Sequence, residues 1–169
     1  MTAGGADAFA EALTAQLPAL RRYAAALAGR GGGADDLVQD CLARALAQAG
    51  KLQDLERIGA WLRSILHNLY IDELRRKRRQ GTAVDVNNVD NTLEMITPPR
   101  NHAAMIDLER ALSSLSIEHR QIVLLVGLEG LNYRQVADEL GIPIGTVMSR
   151  LARARERLRA AMQDGEPTP

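Results

Sequence analysis

Residues 132–160, NYRQVADELGIPIGTVMSRLARARERLRA, leave the chain few ways to fold locally. Asn132 is a natural helix N-cap, and Gln135 three residues on completes a capping-box pattern that sets where the first helix starts. Val136 and Leu140 point inward from that helix. Ala137 is small where two helices must approach closely, and Gly141 stands where the turn needs a positive φ. Ile142 plugs the turn, Pro143 suits the opening of a second helix, and Val147 with Leu151 anchor it. Two helices at a steep angle, joined by so short a turn, admit only a small residue, then glycine, then a branched apolar one. The spacing predicts a helix-turn-helix. Thr146, Met148, Ser149, Arg150 and Arg153 fall on or near the outward face of its second helix, available to base edges or phosphates. A purely structural helical hairpin would satisfy the same spacing.

The rest of the chain extends the helical theme. Its 169 residues are 46% apolar, rich in Ala, Leu and Arg and poor in aromatic and β-branched residues, so an all-α fold of one medium domain or two small ones is expected. Formal net charge is zero, yet the charges are unevenly placed. Arg75, Arg76, Lys77, Arg78 and Arg79 form an unbroken basic run, and Arg150, Arg153, Arg155, Arg157 and Arg159 crowd the last helix. Such local patches decide binding more than the sum does. Of the 21 basic residues all but Lys51 and Lys77 are arginine, whose planar fork suits phosphate and guanine, although a GC-rich genome would produce the same bias.

Cys41 is the only cysteine, so no intrachain disulfide can form and a reducing compartment is expected. His67, His102 and His119 are scattered and offer neither a metal-ligand spacing nor a catalytic arrangement; no metal, cofactor or enzymatic activity is expected. No apolar run reaches membrane-spanning length, and the first residues lack a secretion-signal pattern, which points to the cytoplasm without membrane insertion.

Along the chain, residues 20–29 read as a helix through Leu20, Tyr23, Ala24 and Leu27, stopped at Gly29. The following GRGGG lacks phosphate-loop spacing and reads as a connection. Asp35 and Asp36 then open a helix with Leu37, Val38, Cys41, Leu42, Ala45 and Leu46 on its inner stripe. Its other face carries Asp36, Gln39, Asp40 and Ala43, for which solvation is the simplest reading. Residues 57–79 form the longest periodic segment, with Ile58, Trp61, Leu62, Ile65, Leu66 and Leu69 buried by spacing. Beyond Leu69, the face traced by Asn68, Asp72, Arg75, Arg76 and Arg79 turns polar and then strongly cationic. Adjacent cations repel one another, and a polyanion would relieve them; a solvated helix end is the other reading.

Residues 81–102 lose helical periodicity and gain Asn, Asp, Thr and a Pro-Pro pair, as an acidic flexible linker would. That linker would lie against its basic neighbours or in another protein's cationic channel. A second helical unit begins near Ala103, with Met105, Leu108, Leu112 and Leu115 on one side and Ser116 as the cap of its next helix. The expected organisation is therefore a helical domain over 1–80, the linker over 81–102, a helix-turn-helix domain over 103–163 and a disordered tail over 164–169.

Three stretches in series, ADDLVQDCLARAL, WLRSILHNLYIDELRRKRR and NYRQVADELGIPIGTVMSRLARARERLR, resemble the extracytoplasmic-function (ECF) group of bacterial RNA polymerase sigma factors, over residues 15–162 or so. The resemblance implies an alternative sigma factor that binds core RNA polymerase and directs initiation from promoters with −10 and −35 elements. Asp36, Gln39, Asp40 and Arg44 would grip the coiled coil of the β′ subunit. Asn68 and Asp72 would stand near an extruded base of the −10 strand, with Arg75, Arg76 and Arg79 on phosphates. Thr146, Met148, Ser149, Arg150 and Arg153 would read the −35 duplex, while apolar surface of the same domain rests on the β flap. The linker would run through the RNA channel, and an anti-sigma factor would occlude the polymerase-binding faces. The general-stress branch of alphaproteobacterial sigma factors is a candidate home.

The chain departs from the family at Met148, often lysine or another polar residue, which implies apolar readout there, for instance of a thymine methyl. Ser116 stands where many relatives have proline. Aromatics near the −10 helix are limited to Trp61 and Tyr70, implying weak strand opening and narrow promoter choice. Two other functions fit parts of the pattern. A stand-alone helix-turn-helix regulator would bind duplex without polymerase but leaves the 75–79 run unexplained. A sigma mimic that titrates an anti-sigma factor would be expected to lose the basic contact residues that this chain keeps.

Overall fold

The computed structural model describes residues 3–29, 33–80 and 102–163, and no strand occurs among them. Residues 81–101 of the expected linker and the 164–169 tail lie outside the described residues. The described helices fall into two compact units, one built on α1 to α3 and the other on α4 to α7.

In the first unit, α1 spans Ala3–Ala28, α2 Ala34–Ala47 and α3 Ile58–Arg79. At 26 residues α1 is longer than the 22-residue α3, and residues 3–19, the greater part of it, lie before the 20–29 stretch read as helix from the sequence. Phe9, Leu13 and Leu20 do recur at helical spacing and are buried, but alanines dilute the pattern between them, and Pro18 inside the helix looks like a stop signal. The Pro18 ring is exposed, and only the bond its missing N–H would have made is lost. Gly29, at φ 68°, ends α1 as expected.

Helix α2 packs between α1 and α3 through Leu37, Val38, Cys41 and Ala45. Leu42 is only half-buried, and Leu46, placed on the inner stripe by spacing, is 60% exposed. Leu46 stands about 100° round the helix from the fully buried Ala45, at the margin of the stripe, so spacing alone does not guarantee a cover. The Cys41 thiol donates to the Leu62 carbonyl at 3.4 Å, and burial pushes its pKa from 9.0 up to about 12, so it stays protonated and unreactive at neutral pH. Two 3-10 turns, Ala49–Lys51 and Leu55–Arg57, lead into α3, the second capped by the Asp54 carboxylate, which accepts from the Glu56 N–H at 2.9 Å.

Helix α3 is anchored by Ile58, Leu62, Ile65 and Leu66. Trp61, expected in the core, is half-buried, with its ring edge-on to Phe9 at a centroid distance of 6.3 Å; Leu69 is half-buried too. After Leu66 no residue of α3 is fully buried.

The second unit contains α4 His102–Ser113, α5 Ile117–Gly127, α6 Tyr133–Leu140 and α7 Ile144–Gln163. Ala111, Leu115, Ile122, Leu124, Leu125, Val136, Val147, Leu151 and Ala154 make its core. Leu108, expected inward, is 42% exposed; α4 presents the smaller Ala111 instead. Arg120, only 7% exposed, donates its Nε to the Leu112 carbonyl at 2.8 Å and a terminal nitrogen to the Ser113 carbonyl at 3.0 Å. A cation is thereby set on carbonyls of the last turn of α4, where the helix dipole favours it. Ser116 caps α5 by accepting from the His119 N–H at 3.4 Å.

Candidate nucleic-acid interface

The α6–α7 turn forms as its residues dictate. The Asn132 side chain accepts from the Gln135 N–H at 3.0 Å while Gln135 accepts from the Asn132 N–H at 2.9 Å, so the capping box is complete. Gly141 adopts φ 63°, and the Ile142 N–H donates back to the Ala137 carbonyl at 3.1 Å. Pro143 offers its carbonyl to the Thr146 N–H at 2.9 Å and so closes the first turn of α7. Val147, Leu151 and Ala154 are buried, which fixes the rotation of α7 about its own axis.

That rotation sorts the expected −35 residues. At about 100° per residue, Thr146, Ser149, Arg150 and Arg153 share an arc of about 100°. Met148, 54% exposed, lies about 100° beyond Ser149, on the opposite flank. The structure therefore brings four of the five together and sets Met148 apart, beside exposed Ile144. Directly opposite the core runs a ridge of small residues, Gly145, Ser149 and Ala152, all exposed. A ridge without bulk lets the helix backbone come near a groove floor. The sequence reading passed over Ala152, whose place three residues after Ser149 was the available signal. The Ser149 hydroxyl donates to the Thr146 carbonyl at 3.1 Å, which leaves its lone pairs free to accept.

The first turn of α5 lies near these arginines. The Glu118 carboxyl is held below the usual carboxylate range, first by a backbone N–H of the helix start, then by the Ser116 hydroxyl and by Arg150. The His119 imidazole is held below its usual range by desolvation and by the charges of Arg157 and Arg150.

On α3, Asn68, Asp72, Arg75, Arg76 and Arg79 are all exposed and share one face of about 100°, running about 16 Å along the axis. Asp72 and Arg75 approach to 3.6 Å, but with side chains 66% and 71% exposed the pair adds little and is open to exchange. Lys77 pairs with Glu73 at 2.7 Å on the neighbouring face. Arg76, Arg78 and Arg79 have no ion-pair partner among the described residues. Their position in the last turn of the helix complements its dipole and offsets part of their mutual repulsion.

On α2, Asp36, Gln39, Asp40 and Arg44 are exposed on the face opposite the buried stripe. Leu46 lies about two turns beyond Gln39 at a similar angle about the helix, so that face is acidic with an apolar residue toward its C-terminal end. Leu46, which core spacing assigns inward, is exposed instead. Among the described residues no helix is long and apolar enough to cross a membrane.

Residues 13–80 match the family model of Sigma-70 region 2, and residues 105–158 match that of Sigma-70, region 4. The chain is 35% identical over 156 residues to the ECF RNA polymerase sigma factor EcfG of Rhodopseudomonas palustris, covering 92% of this chain and 86% of the relative. It is 37% identical over 148 residues to the ECF RNA polymerase sigma factor SigL of Mycobacterium tuberculosis, covering 86% and 83% respectively. Among solved structures, it resembles the sigma factor RpoE from Bartonella quintana, crystallised with the anti-sigma factor NepR, at a TM-score of 0.74 and 31% identity, over 94% of this chain and 98% of that one. CnrH, in complex with the cytosolic domain of CnrY, shares the fold at a TM-score of 0.66 and 23% identity, over 96% of each chain.

Proposed function

This chain belongs to the ECF RNA polymerase sigma factors, and we propose that each of its helical units reads one promoter element while core polymerase holds them both. The observation that carries this division is the face of α3 on which Asn68, Asp72, Arg75, Arg76 and Arg79 stand exposed together. A duplex reader needs one recognition helix, and α7 already supplies it. A second cationic face preceded by Asn and Asp suits a separate stretch of DNA whose bases are accessible, as in the opened −10 strand.

In this reading α2 docks on core polymerase through Asp36, Gln39, Asp40 and Arg44, with Leu46 as an apolar contact at the edge. The site of docking is the β′ coiled coil, and exposed apolar side chains of the second unit meet the β flap. Asn68 and Asp72 flank an extruded −10 base, with Arg75, Arg76 and Arg79 on the backbone. Ser149 and Ala152 face the −35 base edges, Thr146, Arg150 and Arg153 approach from one flank, and Met148 touches apolar base surface from the other. The protein is a non-enzymatic specificity subunit acting in the cytoplasm. The relative RpoE was crystallised with the anti-sigma factor NepR, which supports control of this chain by an anti-sigma factor that covers its polymerase-binding faces.

Charge reversal on α2 tests the docking. Both carboxylates are exposed, so Asp36→Lys with Asp40→Lys is expected to abolish association with core polymerase in sedimentation while the helical circular dichroism is retained. Normal holoenzyme formation by that variant would place the polymerase contact elsewhere.

A further inference from the structure

From Gly141 to Ser149 the chain carries no charged side chain, and the arginines of α7 all come later, from Arg150 to Arg159. The helix therefore begins as a neutral tip. On that tip Ile144, the first residue of α7, and Met148 are 46% and 54% exposed. Four residues apart, they are neighbours on the helix surface, separated by about 40° in angle and about 6 Å along the axis. Single exposed apolar side chains are ordinary on a protein surface; what sets these two apart is where they stand.

Seen from Ser149, Met148 lies about 100° round the helix on one side and Arg150 about 100° on the other. The flank that carries Arg150 and Arg153 suits phosphates; the flank that carries Met148 and Ile144 gains nothing from them. A recognition helix meets base edges in the major groove through its N-terminal residues. Among the groups that the bases present there, the C5-methyl of thymine is the one apolar substituent. Covering it with a side chain removes apolar surface from water, and no other unmodified DNA base offers the same gain. Met148 is unbranched and can follow such a methyl, whereas Ile144 is β-branched and stiff.

We propose that Met148 and Ile144 form an apolar pad that determines specificity in the −35 element by reading the C5-methyl group of a pyrimidine. Thymine is favoured over uracil at that step, and 5-methylcytosine over cytosine, so promoter choice responds to the methyl itself. Met148 stands about 100° from the buried Val147 and Ile144 about 60° from it, so the larger share of the contact falls to Met148. This deepens the assignment of α7 to the −35 duplex and rests on it.

The test uses holoenzyme, assembled from core polymerase with the parent chain, Met148→Ala or Ile144→Ala, on a promoter recovered by transcription of fragmented genomic DNA. Each thymine of its −35 element, on either strand, is replaced singly by deoxyuridine, and the promoter concentration giving half-maximal open complex is measured. At one thymine or more the parent holoenzyme is expected to lose about 3- to 5-fold. With Met148→Ala that loss should shrink to less than about 1.5-fold, and with Ile144→Ala to an intermediate value. Cytosine in place of such a thymine should regain about 2-fold on 5-methylation with the parent and nothing with Met148→Ala. A −35 element without an A·T pair, indifference to deoxyuridine at every thymine, or a loss that persists in both variants overturns the inference. So does failure of Met148→Ala to join core polymerase, which would put this flank on the polymerase. If randomising the whole −35 element leaves promoter use unchanged, the −35 assignment falls and takes the inference with it. If randomising abolishes promoter use while deoxyuridine has no effect, the methyl reading alone falls.

Discussion

Helices α3 and α7 both carry arginine toward solvent, but they hold it in opposite ways. In α7 the buried residues Val147, Leu151 and Ala154 alternate along the helix with Arg150 and Arg153, so each cation sits within a turn of an anchor. In α3 the anchors end at Leu66, and the cations of the 75–79 run follow two turns later on a stretch with no fully buried residue. One surface is pre-set in rotation and reach; the other is a charged extension whose side chains are free to adjust. A regular duplex groove rewards the first arrangement, because its phosphates and base edges lie at fixed spacing. A single strand has no fixed shape and rewards the second.

The largest expected effect follows from removing what rigidifies the α7 unit. Arg120→Ala deletes two charge-assisted hydrogen bonds, to the Leu112 and Ser113 carbonyls, together with the packing of a buried side chain, and should destabilise that unit by about 3 kcal/mol. Chemical denaturation followed by hydrogen exchange should show early opening of α4 to α7 with α1 to α3 unchanged. Equal loss in both units would contradict the contrast between the anchoring of α7 and that of α3.

A smaller change is expected at the turn. No atom lies within 4 Å of the position a Cβ would take on Gly141, so Gly141→Ala meets only the left-handed backbone and should cost about 1 kcal/mol. A melting temperature shift confined to the second unit checks it.

The smallest effect on stability, under about 0.5 kcal/mol, is expected from Arg75→Ala with Arg76→Ala, because both side chains are exposed and their one ion pair is weak. Function should respond far more: two lost phosphate contacts lower the salt slope of single-strand −10 binding by about 1.4. Unchanged promoter opening by that variant would remove α3 from the DNA interface. Cys41 gives an internal check on the same unit. Its pKa is raised by burial, so the folded state keeps its proton between pH 9 and about 12 while the unfolded thiol ionises. Stability of the first unit from this source is therefore full below pH 9 and falls as pH rises toward 12, measurable as earlier thiol labelling.

What could be seen in the sequence followed from local rules. Asn132 with Gln135, Ser116 and Gly141 each satisfy a backbone need within a few residues, and each appears where its chemistry places it. Misplaced features depended on distant neighbours. Leu46 and Leu108 have core spacing, yet they are 60% and 42% exposed among the described residues, since cover is decided by the placement of neighbouring helices. Residues 3–19 of α1 were hidden by alanine and by Pro18, which a helix accepts when the ring faces outward. Arg120 was invisible as a core residue because arginine is seldom buried; only the arrangement of α4 against α5 gives its guanidinium two carbonyls to hold. The separation of Met148 from Arg150 required knowing which side of α7 is buried.

Transcription in vitro is the most direct measurement: purified core polymerase acting on fragmented bacterial genomic DNA, with and without this protein. Two-unit promoter reading predicts new discrete transcripts whose start sites share two upstream elements, one lost with changes on α3 and the other with changes on α7. No new transcripts, from protein shown to be bound to core, would contradict it.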